Sequence, residues 1–239
     1  MISVIIPTYN EESTLEVLLQ QLCREPGAGE VVVADGSSTD GTVKLAERYA
    51  RVVVSERNRG VQLNRAVHQA RGEVLLFLHA DVQLPAGALA AVEHALTDPQ
   101  VVGGSFSLEF SSDGLPGRVF TRVNRWRRWF GIFYGDAGIF VRRAVFEHLG
   151  GFREWPLLED YEFARRLVKA GRTVCLPERL GVSSRRWQAG EGRHSRLWRT
   201  LAAWFFIQAF FFLGFPPEWL VRWYPPVRKT RSQPHRDAR

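Results

Sequence analysis

Apolar runs and helix-period stretches alternate through the first hundred positions. Ile2–Ile6 is a short β-branched run, followed by Leu15, Leu18, Leu19 and Leu22 at helical spacing. Glu30–Ala34 (EVVVA) and Val52–Val54 read as strands, with a short helix expected over Val43–Tyr49 between them. Val61–Ala70 reads as a helix, Val74–Leu78 (VLLFL) as a fully apolar strand, and about Gly87 to Leu96 as a further helix. Continuous apolar strands alternating with amphipathic helices predict an α/β fold, a mostly parallel central sheet with helices on both faces. In such sheets ligands sit outside the carboxyl ends of the strands.

After Val101 the pattern loosens. Gly103–Phe110 and Gly138–Val141 suit strands; Arg118–Phe130 and Ala144–Leu149 suit helices. Glu159–Ala170 is plainly amphipathic, with Phe163, Ala164, Leu167 and Val168 on one face, and Gly171 is placed to end it as a C-cap. Leu201–Phe215 (LAAWFFIQAFFFLGF) is apolar all round except Gln208. As a helix it reaches only about 22 Å at ~1.5 Å per residue, short of the roughly 30 Å of a hydrocarbon core. Two readings stand: a helix docked on the core, or one lying in a membrane interface, the latter favoured by flanking Trp198, Arg199, Trp219, Arg222, Trp223 and Tyr224. The organisation expected is a main domain over 1–190, a C-terminal apolar and basic helical segment over 191–226, and a basic disordered tail over 227–239.

Charge sharpens this division. The 239 residues carry a formal net charge of +7. From Val182 onward there are 11 Lys and Arg against 3 Asp and Glu, so the basic excess lies in the last quarter. That excludes a uniformly basic, histone-like protein and suits a near-neutral domain with a basic patch for a membrane surface or polyanion. Cys23 and Cys175 stand alone without a CxxC, and two buried free thiols in a reducing compartment are expected. The start reads as a buried strand rather than a signal peptide, which places the bulk of the protein in the cytoplasm, with a peripheral position on the membrane face open to it.

The strand ends carry the candidate chemistry. The first strand is expected to stop at Pro7, delivering Tyr9 and Glu11. The second ends in Asp35-Gly36-Ser37-Ser38-Thr39-Asp40, where the Ser/Thr/Asp cluster can cap a helix but Asp35 caps nothing obvious. The fourth ends in His79-Ala80-Asp81, whose spacing points both side chains to one side of an extended chain and suits one hard cation bridging to phosphate. No GxGxxG follows the first strand and no GxxxxGK[ST] occurs, so dinucleotide and P-loop sites are weak readings.

The segments IIPTYNEE, VVVADGSSTDGT, LFLHADVQLP, GDAGIFVRRAVFEHLGGF and LLEDYEFARRL stand in the order and spacing of family 2 glycosyltransferases with the GT-A nucleotide-sugar-binding fold, which the chain resembles over about residues 1–190. With NRGVQLNRA and GDAG beside it, the HAD form of the metal motif is similar to a short single-domain subset, some members of which are associated with arsenosugar biosynthesis. The resemblance implies that Pro7, Tyr9 and Glu11 hold the nucleotide, Asp35 reads its base, and Arg59 and Gln62 contact the donor. It implies a divalent metal, Mg2+ or Mn2+, at Asp81, with His79 in place of the usual first acid. Asp160, beside Glu159, matches the catalytic base of an inverting transfer from a nucleotide-diphosphate sugar to a hydroxyl acceptor, small or lipid-linked. Asp136 would line the acceptor side, and so would Arg186 and Trp187, which resemble a reduced form of the family's QxxRW element.

Bland readings stand beside these. Glu159 and Asp160 also suit a helix dipole, and Trp126 and Trp129 among Arg125, Arg127 and Arg128 also suit an ordinary helix. A sugar-1-phosphate nucleotidyltransferase is the alternative enzyme, though it needs a Gly-rich loop where PTYNEE stands. A membrane- or nucleic-acid-binding module on a degenerate scaffold is the non-enzymatic one; retention of Asp35, Asp81 and Asp160 argues against it, and no nucleic acid partner is expected.

Overall fold

A computed structural model of the chain describes residues 1–110, 137–182 and 206–223. Among these, eight strands form one sheet in the order β3-β2-β1-β4-β7-β6-β8-β5. The strands are β1 (Ile2–Thr8), β2 (Ala28–Asp35), β3 (Arg51–Val54), β4 (Val74–Phe77), β5 (Val82–Gln83), β6 (Val101–Phe110), β7 (Ile139–Arg142) and β8 (Arg172–Val182). The helices of this part are α1 (Glu12–Arg24), α2 (Thr42–Ala46), α3 (Arg59–Gln69), α4 (Ala88–Ala95), α5 (Arg143–His148) and α6 (Glu159–Ala170). β1 to β4 pair in parallel, as the alternation requires; β7 then runs antiparallel to both β4 and β6, while β6 and β8 are parallel.

The central strands are buried on both faces, which is why they read as continuous apolar runs. Ile2, Val4 and Ile6 join a core with Leu15, Leu18, Leu19 and Leu22 of α1 and Leu89 and Val92 of α4. Ile5, Val32, Leu75 and Phe77 point the other way, into a core with α3, α5 and α6. There Phe77, Phe146, Phe152 and Phe163 meet with ring centroids 4.5–5.6 Å apart. This aromatic cluster seats α6 against the sheet and so fixes the position of its first turn.

Several expectations change. β1 runs through Pro7, which pairs with Ala34. β4 pairs with β1 only as far as Ile5, so the missing N–H of Pro7 costs no bond on that side. α2 ends at Ala46, followed by turns rather than helix to Tyr49. Gly171 does end α6 as its C-cap, in extended backbone (φ 168°). Its requirement is space, since an added Cβ would lie 2.6 Å from Cγ1 of Val102. Both cysteines are exposed, not buried: Cys23 lies off the Leu15–Leu22 face of α1.

The chain divides into Met1–Ser184 and Arg185–Arg239. In the second part residues 206–212 are helical, Gly214 turns the chain at φ 87°, and Pro217–Leu220 forms a short helix continued by a 3-10 turn over Val221–Trp223. Ile207 and Leu220 are buried, whereas Phe206, Phe212, Leu213, Phe215, Trp219 and Trp223 are exposed. No helix among the described residues is long and apolar enough to cross a membrane.

Candidate active site

The loops after β1 and β2 are bound to each other. Asp35 is fully buried and accepts from Thr8 Oγ1 at 2.9 Å, Ser38 N at 2.7 Å and Ser38 Oγ at 2.6 Å. The carboxylate therefore does tie a turn, across two strand ends, with a donor that lies 27 residues away in sequence. Asn10 and Ser37 hold left-handed backbone (φ 53° and 63°). Each is fastened by its own side chain: Asn10 Oδ1 accepts from Thr39 N at 2.8 Å, and Ser37 Oγ donates to Ser55 O at 2.7 Å. Such conformations persist where surrounding bonds over-determine them, commonly at ligand sites. Glu11 receives Thr14 Oγ1 at 2.6 Å, and Tyr9 stands partly exposed with the Arg57 guanidinium 3.9 Å from its ring centroid.

Helix α3 joins these loops to the rest of the site. Gln62 is buried and its amide donates to the carbonyls of Thr8 at 2.9 Å and Ala34 at 2.8 Å. It clamps the ends of β1 and β2, so its amide nitrogen is engaged by backbone rather than offered to a ligand. On the opposite side Asn64 forms a reciprocal pair with the backbone of Phe152, both bonds 2.9 Å. Asn58 caps α3 through Val61 N and donates to Glu154 O at 3.0 Å. Gly60 lets the two segments close: an added Cβ would lie 2.3 Å from the Arg153 carbonyl oxygen. These three residues pin the loop that leads into α6.

Arg59 is consequently held over the first turn of α6. Its Nε lies 3.4 Å from Glu159 Oε1 and its Nη1 3.8 Å from Asp160 Oδ2, while Nη2 meets His79 Nε2. One guanidinium thus joins the ED pair to the turn after β4. Leu158 precedes the pair in left-handed backbone (φ 66°), and α6 has no side-chain N-cap. Burial, then the neighbouring Asp160 carboxylate, push the Glu159 pKa up to about 7, against the pull of Arg59. Asp160 has the more open side chain, 14% exposed against 6% for Glu159.

His79, Ala80 and Asp81 form a turn, with Val82 N bonded to His79 O, so the extended-chain argument for a shared side does not hold. His79 Nε2 faces a guanidinium, which disfavours a cation at that nitrogen. Asp81 is partly exposed, and no hydrogen bond or ion pair ties it down among the described residues. No group of three or more His, Cys, Asp or Glu that could hold a metal exists among them either. This donor set fits a cation that Asp81 shares with a ligand's phosphates, the usual mode for Mg2+, and not an all-protein cage. Asp136, Arg186 and Trp187 lie outside the described residues. Sequence reasoning missed Thr8, Arg57, Asn58 and Asn64; the two asparagines flanking Gly60 in NRGVQLN were the available signal.

Three comparisons bear on this geometry. A PGL/p-HBAD biosynthesis glycosyltransferase of Mycobacterium bovis is 32% identical over 184 residues, covering 68% of each chain. An undecaprenyl-phosphate 4-deoxy-4-formamido-L-arabinose transferase of Pseudomonas paraeruginosa is 32% identical over 143 residues, covering 54% of this chain and 39% of its own. A mannosyltransferase of Pyrobaculum calidifontis, solved in complex with GDP-Man and Mn2+, superposes with a TM-score of 0.63 at 27% identity, over 87% of this chain and 62% of its own. The chain therefore spans about two thirds or less of the length of these relatives. The glycosyl transferase family 2 model matches residues 3–150, which hold the zipped loops after β1 and β2, α3 and the turn of His79 and Asp81, and the chain belongs to that family.

Proposed function

We propose that the chain is an inverting glycosyltransferase that moves a sugar from a UDP- or GDP-sugar to a hydroxyl acceptor, with Asp160 as general base. The observation that carries this reading is the single guanidinium of Arg59, which brings the ED pair within one side chain of the turn holding Asp81. In the reaction Asp160 takes the proton of the acceptor hydroxyl as its oxygen attacks the anomeric carbon. The bond from that carbon to the diphosphate breaks, and the diphosphate leaves with its electrons. One displacement inverts the centre, so no second carboxylate nucleophile is required. Asp160 is assigned the proton because it is the more open of the two carboxylates; buried Glu159 orients Arg59 from below. A divalent cation at Asp81, Mg2+ or Mn2+, would neutralise the leaving diphosphate when bound. The GDP-Man and Mn2+ in the mannosyltransferase complex support this donor class and metal.

Asp160→Asn tests the assignment. It is expected to bind nucleoside diphosphate no more weakly than wild type and to lose transfer by about 100-fold or more, the scale of a positioned base. Unchanged turnover would remove Asp160 from that role.

A lipid-linked acceptor is the second element of the proposal. The undecaprenyl-phosphate relative supports it, as do the exposed Phe206, Phe212, Leu213, Trp219 and Trp223 beside Arg222. Aromatic and basic side chains together favour the headgroup layer of an anionic bilayer. Cosedimentation of the full chain with phosphatidylglycerol vesicles, lost on replacing Trp219 and Trp223 by Ser, is the expected result. Equal binding by both proteins would reject the contact.

A further inference from the structure

Arg59 makes an incomplete set of contacts. Its Nε is buried yet has no hydrogen-bond partner among the described residues. Its two approaches to the carboxylates, 3.4 and 3.8 Å, are those of ion pairs rather than of a seated fork. The side chain is nonetheless 31% exposed, so an incoming ligand can reach it. A guanidinium with spare donors, joined through His79 to the turn that carries Asp81, is chemically suited to a diphosphate, which accepts paired N–H bonds better than two carboxylates held at such distances. The acceptor proton, by contrast, has to reach Asp160, a carboxylate that the same guanidinium is holding.

Resting on the transferase reading, we propose that Arg59 is a donor-responsive restraint on the ED pair. Without donor it holds Glu159 and Asp160. When the nucleotide-sugar enters, its guanidinium passes to the diphosphate, and Asp160 is released toward the acceptor hydroxyl. No bond is made or broken in this exchange; one ion pair replaces another. Its consequence is that the base is quenched while the donor site is empty. Arg59 is a positioning residue for the base and a contact for the donor, two roles set by a single side chain at the first position of α3.

The test is a thermodynamic cycle on the full chain, with UDP and GDP as probes in calorimetry. Asp160→Asn removes one partner of the restraint, so the nucleoside diphosphate no longer has to compete for Arg59. It is expected to bind about three- to tenfold tighter to Asp160→Asn than to wild type. In an Arg59→Met background the same Asp160→Asn change should leave affinity unaltered, and Arg59→Lys should restore part of the coupling. Equal effects of Asp160→Asn in both backgrounds would overturn the restraint while leaving the transferase reading intact. Failure of wild type to bind either diphosphate would overturn the transferase reading itself. A measurement on the wild-type chain covers the case in which Arg59→Met does not fold. The Arg59 Nε–Hε resonance, assigned through Arg59→Lys, should move downfield on adding the bound diphosphate; an unmoved resonance at saturation would overturn the proposal.

Discussion

Gln62 offers a clean separation between a residue that builds the site and one that touches the donor. Its two donated bonds, 2.9 and 2.8 Å, reach the last carbonyl of β1 and the penultimate one of β2, and the residue is 5% exposed. Gln62→Met keeps chain length and volume and deletes only the amide. Two buried hydrogen bonds at about 0.5–1.5 kcal/mol each give a loss of about 1–3 kcal/mol. The Thr8 carbonyl retains a bond from Gly36 N at 2.9 Å, and Ala34 lies inside the β1–β2 ladder, so neither carbonyl stands alone in the variant. With a urea dependence of about 2–3 kcal/mol per molar, the midpoint should fall by about 1 M. Affinity for UDP or GDP, measured under folded conditions, should change by less than about threefold, because no nucleotide atom reaches a side chain this deeply covered. A tenfold weaker Kd with an unmoved midpoint would refute this reasoning and return Gln62 to the donor contacts.

Other substitutions probe other joints of the same site. Gly60→Ala sets a methyl against the backbone of Arg153 and Glu154, where no side chain can swing aside; a cost of about 1–3 kcal/mol is expected, with kcat reduced more than nucleotide affinity. Glu159 binds its proton more tightly folded (about 7) than at its ordinary 4.5, so its contribution favours folding below that ordinary value and is lost as pH rises through about 7. Glu159→Gln should therefore stabilise the fold at about pH 8 and not at about pH 4, by up to roughly 3 kcal/mol at 1.36 kcal/mol per pKa unit, read as a higher Tm at the upper pH only; parallel pH profiles for the two proteins would contradict it. Asp81→Ala should abolish any enhancement of diphosphate binding by Mn2+, and an undiminished enhancement would place the cation elsewhere.

Much of the framework was legible because burial writes itself into periodicity. α6 was read with the bounds it has, and β1 to β4 with α1, α3 and α4 stand where apolar runs and helical spacing placed them. β8 escaped for a visible reason: Pro177, Glu178 and Arg179 interrupt its alternation. The sheet absorbs the interruption by a register shift, Phe106 opposite Leu176 but Ser107 opposite Arg179. Cys23 was misplaced although its helical angle, off the leucine face, already put it outside. The site was legible as an ordered set of residues, not as contacts. Asp35 draws on Thr8 across two strands, and nothing local distinguishes Arg57, which covers Tyr9, from Arg59, which reaches the ED pair. Those roles arise from the register of β1 with β2 and from where α3 lies across them.

The seam between α3 and the loop before α6 also sets an order of assembly. The bonds that zip the loops after β1 and β2 join residues about 28 apart, as Asn10 to Ser38 does, whereas Asn58 and Glu154 are 96 apart. Closing the longer loop costs about 1 kcal/mol more on the logarithmic scale of chain entropy. It also needs β7 and α5 in place, since Phe146 and the rest of the aromatic cluster lie under α6. The half that would grip a nucleotide is therefore closed by the more local contacts, and the half that would take the proton by the longer loop. Hydrogen exchange should show the first turn of α6 opening at lower free energy than the amides of β1 and β2. A chain that has opened at this seam would keep the loops after β1 and β2 zipped, and lose only the placement of the ED pair.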